Sequence, residues 1–163
     1  MIFNQIEIPE AISIFEFRKT VDHEKTTAGL GYGLEFDTIG VKATIYIYDL
    51  NMDVPSSADS DEVVLQFNNS CSNIHEVNSD VKAVVQPQKI KISNLDWLVS
   101  AYTFNDSRNE QVVSFIYLTS FLGNFVKTRL TFSASNRVED GDLLHKSFIV
   151  ALSDILENQL PAA

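Results

Sequence analysis

The stretch QVVSFIYLTSFLGNFVKTRLTFS, residues Gln111 to Ser133, decides the fold class. Two runs rich in β-branched and aromatic residues flank Gly123-Asn124, a composition that signals a two-residue hairpin turn. A turn there would pair Leu122 with Phe125. Side chains alternate across a strand, so the two faces separate cleanly. One face carries Val113, Phe115, Tyr117, Thr119, Phe121, Val126, Thr128, Leu130 and Phe132, and reads as core. The other carries Ile116, Leu118, Ser120, Lys127 and Arg129, and is mixed.

The same reasoning extends outward. Upstream, Leu95 to Phe104 alternates with Leu95, Trp97, Val99 and Ala101 on one side, and Asn105 to Asn109 is a polar turn. Val81 to Val85 and Ile90 to Ile92 read as two short extended pieces around Pro87. Val41 to Leu50 is a further strand, with Val41, Ala43, Ile45 and Ile47 facing one way and Lys42, Thr44, Tyr46 and Tyr48 the other. Gly29 to Phe36 precedes it as a strand, joined through Thr38-Ile39-Gly40. The alternation of Ile12-Ser13-Ile14 slips by one at Phe15-Glu16-Phe17, which suggests a bulge or kink. Residues 1 to 10 read as an extended lead-in.

Two segments have helical periodicity. Ser60 to Val77 places Val64, Phe67, Cys71 and Ile74 on a stripe, with Val63 alongside and Asp59, Asp61 and Glu62 near the start, where the helix dipole favours negative charge. Glu139 to Asn158 carries Leu144, Phe148, Ala151, Leu152, Ile155 and Leu156, with Asn136 and Glu139 at capping-box spacing. Hairpin-linked strands with two helices predict a single α+β domain over residues 1–163, with an antiparallel sheet of six to seven strands.

Composition bounds the function. The formal net charge is −10, from 22 acidic and 12 basic residues. That balance argues against nucleic acid or an anionic membrane as the main partner, both being polyanions. A local basic patch could still take a small anion or an acidic protein surface. No run approaches the ~20 apolar residues that span a bilayer, so no membrane insertion is expected. Cys71 is the sole cysteine, which precludes an intrachain disulfide. Met1 to Gln5 has neither a basic nor an apolar signal region, so a cytoplasmic location is expected as the sequence stands, and a periplasmic or exported one if a signal has been removed.

No cofactor motif stands out, and none is expected. Asp49-Leu50-Asn51-Met52-Asp53 begins like a calcium loop, but Val54 stands where that loop needs glycine and Ser60 where it needs glutamate. Gly29-Leu30-Gly31-Tyr32-Gly33 has no helix pattern after it, so the alternating glycines read as one face of a strand rather than a phosphate loop. Cys71 and His75, four apart on a helix, could meet, but further metal ligands are lacking and a cysteine on an apolar stripe behaves as a small hydrophobe. His23 and His145 are isolated.

The remaining candidate surface is the mixed sheet face. Lys127 and Arg129 on one strand and Lys42, Tyr46 and Tyr48 on another would form an aromatic and basic patch if the two strands share a sheet. Tyrosine and arginine are enriched at binding hot spots. The function expected is a non-enzymatic binding or accessory module that contacts a protein or small ligand there. Two other classes fit the same chain: an apolar-ligand carrier with the long helix across a curved sheet, and an enzyme using carboxylates with Tyr46 or Tyr48.

The run Ala43-Thr44-Ile45-Tyr46-Ile47-Tyr48-Asp49, with Tyr117-Leu118-Thr119 and Gly123-Asn124-Phe125-Val126-Lys127-Thr128-Arg129-Leu130-Thr131 downstream, resembles a family of uncharacterised bacterial proteins. That family shares a YVYD strand and a YLT…GxFVKxRLT hairpin. The resemblance runs from Gly29 to the last helix and implies no particular chemistry; it implies export for many members. The order of elements also resembles the PsbP-like α/β/α sandwich, which implies an accessory and binding scaffold without a common enzyme activity.

Overall fold

A computed structural model describes residues 1–134 and 138–161. The strands are β1 (Ile2–Phe3), β2 (Ile6–Glu7), β3 (Ala11–Ile12), β4 (Phe15–Asp22), β5 (Tyr32–Thr38), β6 (Val41–Tyr48), β7 (Lys82–Ile92), β8 (Leu95–Asn105), β9 (Gln111–Phe121) and β10 (Asn124–Ser133). The helices are α1 (Asp61–Val77), between β6 and β7, and α2 (Val138–Glu157), after β10. Strands β3 to β10 form one eight-stranded sheet in the order β3-β4-β5-β6-β10-β9-β8-β7, every neighbouring pair antiparallel. The fold is α+β, and β1 and β2 make a separate small hairpin.

Each face of the sheet packs against its own helix. Beneath α2, the side chains of Phe148, Ile149, Leu152 and Leu156 close on Phe15, Phe36, Ile45, Ile47, Trp97 and Leu130. Phe15 and Phe36 meet the ring of Phe148 edge-on at 4.8 and 5.8 Å. Trp97, fully buried, donates its indole N–H to the Ser153 hydroxyl at 2.9 Å, so the polar handle of a large ring is satisfied. On the opposite face, Val63, Phe67, Cys71 and Ile74 of α1 cover Leu98, Tyr102, Ile116, Leu118 and Phe125. Burying each large apolar side chain stabilises the fold by about 1.5–3 kcal/mol. Ser60 caps α1, its hydroxyl accepting from the Val63 amide at 3.3 Å. Asn136 and the side chain of Glu139 lie outside the described residues.

Several local expectations are corrected. The turn of the deciding hairpin is Leu122-Gly123, and Asn124 pairs with Phe121. Leu122 and Gly123 both adopt positive φ, 47° and 75°, as a tight hairpin turn demands. Asn124 is withdrawn from the turn because its buried amide works elsewhere: it donates to the carbonyls of Leu122 and Asn4 at 2.9 and 3.2 Å and accepts from the Asn4 amide at 3.0 Å. The slip moves the pairing by two residues, so every side chain keeps its expected face.

The shift at Phe15 is not a bulge. It is a two-residue turn at Ser13-Ile14, with Ile12 opposite Phe15, and the bulge lies further on, between Phe17 and Lys19. Residues 82 to 92 make one long strand whose register shifts on either side of Val85 absorb Pro87. Residues 1–10 do not run extended throughout: β1 and β2 fold back as a hairpin, Ile6 and Ile8 are fully buried, and the Met1 ammonium donates to the Ile8 carbonyl at 2.9 Å.

The glycine segment also differs from expectation. Strand β5 starts only at Tyr32, and Gly29 and Gly31 turn with φ of 90° and 63°. Their amides wrap the carboxylate of Glu24 at 2.8–3.1 Å. A Cβ on Gly31 would stand 1.8 Å from the Ile47 carbonyl oxygen, so close approach of backbone requires glycine there.

Candidate functional site

Strands β6 and β10 are neighbours in the middle of the sheet, and Tyr46 stands directly opposite Lys127. The juxtaposition that would make an aromatic and basic patch is therefore present. Helix α1 does not cover this whole face. It lies over β8 and β9, and its flank, with Ser70, Asn73, Ile74 and Val77, forms one wall of a cleft of about 230 Å³. Tyr46, Lys127, Arg129 and Ile116 form the floor.

The two cations are half-buried. The Lys127 ammonium sits over the Tyr46 ring at 4.8 Å and the Tyr48 ring at 5.7 Å, where the negative face of each ring attracts it. Arg129 donates its Nε–H to the Ser114 hydroxyl at 3.0 Å, and that hydroxyl shares a 2.9 Å hydrogen bond with Thr131. Burial lowers the pKa of Lys127 from the ordinary lysine value, and the charge of Arg129 lowers it further. Arg129 is lowered by the same burial, with Tyr46 opposing.

Neither Lys127 nor Arg129 forms an ion pair among the described residues. Arg18, Lys19, Lys89, Lys91, Arg108 and Lys146 all do, and all are more accessible. Two desolvated cations left unpaired in a chain with 22 acidic residues cost stability, and that cost concentrates at sites that serve a ligand. Tyr48 and Lys42 occupy different places around this pair. Tyr48 is buried against Phe125 at 5.2 Å, its pKa pushed up by burial, and its hydroxyl meets Gln66 at 3.4 Å, so it supports Lys127 from below. Lys42 is exposed and lies opposite Thr131, two residues beyond Arg129, where a second hollow of about 430 Å³ opens.

Sequence reasoning did not reach the helical wall of the cleft. Ser70 and Asn73 carried no signal for it, because the docking of α1 beside β10 is a tertiary fact. It also missed His23, whose ring lies beside Tyr46 at 6.4 Å. Gly33 makes this possible: a Cβ there would come within 3.2 Å of the His23 ring and 3.5 Å of Tyr46.

The remaining candidates resolve into structure. Cys71 is buried and 3.2 Å from the Ser100 hydroxyl, whereas His75 is exposed and packs edge-on to Tyr102 at 5.3 Å. No cluster of three or more metal-ligating side chains occurs among the described residues, the Asp49–Asp53 segment included. His145, on the sheet-facing side of α2, is fully buried. Its ring stacks on Phe115 at 3.8 Å and its Nε2 meets the Tyr117 hydroxyl at 3.1 Å. Burial lowers its pKa to about 4, against the pull of Asp142. A larger apolar hollow of about 540 Å³ lies at the start of α2, walled by Ile14, Ile39, Phe132 and Leu143. No described helix is long and apolar enough to cross a membrane.

No family model and no curated protein matches the chain. Among solved structures, the chain is similar to the protein of unknown function PA94 from Pseudomonas aeruginosa, described as a candidate regulator. The TM-score is 0.50 at 11% identity, over 78% of each chain. That likeness is one of fold alone, and the function of this protein is not established by it.

Proposed function

We propose that this chain is a binding module that takes an anionic group, carried by a protein or a small ligand, into the cleft between α1 and the β6–β10 strands. The observation that carries the reading is the pair Lys127 and Arg129, half-buried and without a carboxylate partner among the described residues. Charge-assisted hydrogen bonds to a carboxylate or phosphate are roughly twice as strong as neutral ones, and an arginine fork adds direction. The cleft is small, about 230 Å³, which suits a single charged head group or side chain rather than a whole cofactor. Resemblance of the element order to the PsbP-like scaffold supports an accessory role of this kind. Catalytic use of carboxylates has less behind it: Asp106 is held below the usual carboxylate range, chiefly by the Glu110 amide, the direction opposite to a general acid.

The test is titration with inorganic phosphate, followed by amide chemical shifts and calorimetry. Saturable binding with shifts confined to Tyr46, Ser70, Lys127 and Arg129 is expected. Lys127→Met is expected to weaken it about tenfold or more, the effect of losing one charge-assisted contact. Shifts spread over all the surface lysines, with no loss in Lys127→Met, would overturn the reading.

A further inference from the structure

We infer that the cleft takes a small 2-oxo acid, held by its carboxylate on Arg129 and captured at its carbonyl by the Lys127 amine as a reversible imine. The inference rests on the anion-binding reading above and gives its two cations separate roles.

Lys127 differs from every other lysine of the chain. The others are exposed, and Lys19, Lys89, Lys91 and Lys146 each lie against a carboxylate, which favours the ammonium form. Lys127 is half-buried in a cleft, and its Nζ has neither a hydrogen bond nor an ion pair among the described residues. Burial and the neighbouring Arg129 both favour the neutral amine there. Desolvation beside a second cation is what turns a lysine into a nucleophile toward carbonyl groups. The rings of Tyr46 and Tyr48 pull the other way, toward the ammonium. A protonated imine is a cation at the same place, so the rings favour the product as they favour the resting ammonium.

Arg129 is placed to hold the carboxylate. Its Nε is tied to Ser114 at 3.0 Å, while its two Nη groups have no hydrogen bond among the described residues, so the fork is anchored and its ends are free. Lys127 and Arg129 leave the same face of β10 as alternate residues, with bases about 6.6 Å apart. Heads on such neighbouring stems can address adjacent carbons of one molecule, which are the carbonyl and the carboxylate of a 2-oxo acid. A carbonyl remote from the anion would lie away from the amine. The cleft of about 230 Å³ admits a molecule of this size. In the capture, the amine lone pair forms the C–N bond while the carbonyl π pair moves to oxygen. A proton passes from nitrogen to that oxygen and gives the carbinolamine. A solvent proton then converts the hydroxyl into departing water, and the nitrogen lone pair forms the C=N bond of the protonated imine.

Reductive trapping on the whole chain tests this, with glyoxylate or acetaldehyde and cyanoborohydride, each adduct mapped by peptide mass. Glyoxylate is expected to modify Lys127 about tenfold faster than the exposed lysines, the gain from one charge-assisted contact. Acetaldehyde, which has no carboxylate, is expected to lose that gain, as is glyoxylate on Arg129→Gln. Saturating inorganic phosphate is expected to protect Lys127 on the unaltered chain and leave the exposed lysines reactive. Lys127→Arg keeps the charge, so it is expected to retain phosphate binding while losing the adduct; circular dichroism verifies its fold. Lys127 reacting no faster than the exposed lysines would overturn the capture, and if phosphate still bound, the anion cleft would stand alone. An equal lead with acetaldehyde would overturn the role of Arg129 and with it the 2-oxo acid. Failure of phosphate to bind, together with no selective adduct, would remove both readings.

Discussion

The two faces of the sheet solve opposite problems. Under α2, a titratable side chain has been made neutral to suit a dry interior: His145 is enclosed by Phe115, Tyr117 and Phe132. Beside α1, Lys127 and Arg129 stand in a cleft that the helix leaves open along its flank. Helix α2 runs across the sheet and touches strands from β3 to β7, whereas α1 sits on β8 and β9 and leaves β6 and β10 accessible along its flank. Completeness of cover, more than the chemistry of the strands, separates the structural face from the candidate site.

The contrast can be broken from its dry side first. Phe148→Ala removes a fully buried ring that two phenylalanines contact, and should cost about 3–5 kcal/mol in denaturant unfolding. A loss under 1 kcal/mol would mean that α2 is not the keystone of that face. Acid should act next. The unfolded chain protonates His145 near its ordinary value of 6.5, but the folded chain resists until about pH 4. The unfolded state therefore binds more protons across that interval, and stability falls as pH drops through it, by up to roughly 3 kcal/mol. His145→Gln should flatten this part of the stability profile; an unchanged profile would place the acid sensitivity elsewhere.

The open face should respond with the opposite sign. Lys127→Met removes an unpaired, half-buried charge and should raise stability by about 1 kcal/mol while weakening phosphate binding. If the substitution destabilises the chain instead, the contacts of the ammonium with Tyr46 and Tyr48 outweigh its burial, and the cation is there for packing. Smallest of all, Lys89→Ala, which breaks an exposed pair with Asp59, should leave the melting temperature unchanged within error.

Strand parity explains what was legible in the sequence. Period-two alternation placed Trp97, Phe115 and Leu130 on one face and Lys127 and Arg129 on the other, and a one-residue error in the turn, which moved the pairing by two, did not disturb it. Turn identity was less legible because Gly123-Asn124 satisfies local preference, whereas the observed Leu122-Gly123 turn depends on a bond from Asn124 to Asn4, 120 residues away. The expected six to seven strands come close to the eight of the main sheet: Pro87 divides the pattern of β7 into two pieces although an edge strand tolerates it, and β3 is only two residues long. For the site, local pattern supplied Lys42, Tyr46, Lys127 and Arg129 but not their neighbourhood. That β6 lies against β10, and that Ser70 and Asn73 close the cleft, are long-range outcomes with no local signature.

The pairing of β6 with β10 also sets the order in which a growing chain can complete itself. Strand β6 is made before its partner, which follows only after α1 and three further strands. Until then one edge of β6, with Ile45 and Ile47, is open to any other strand that passes. Shielding the stretch 41–48 over that interval would keep a foreign strand from taking the place of β10.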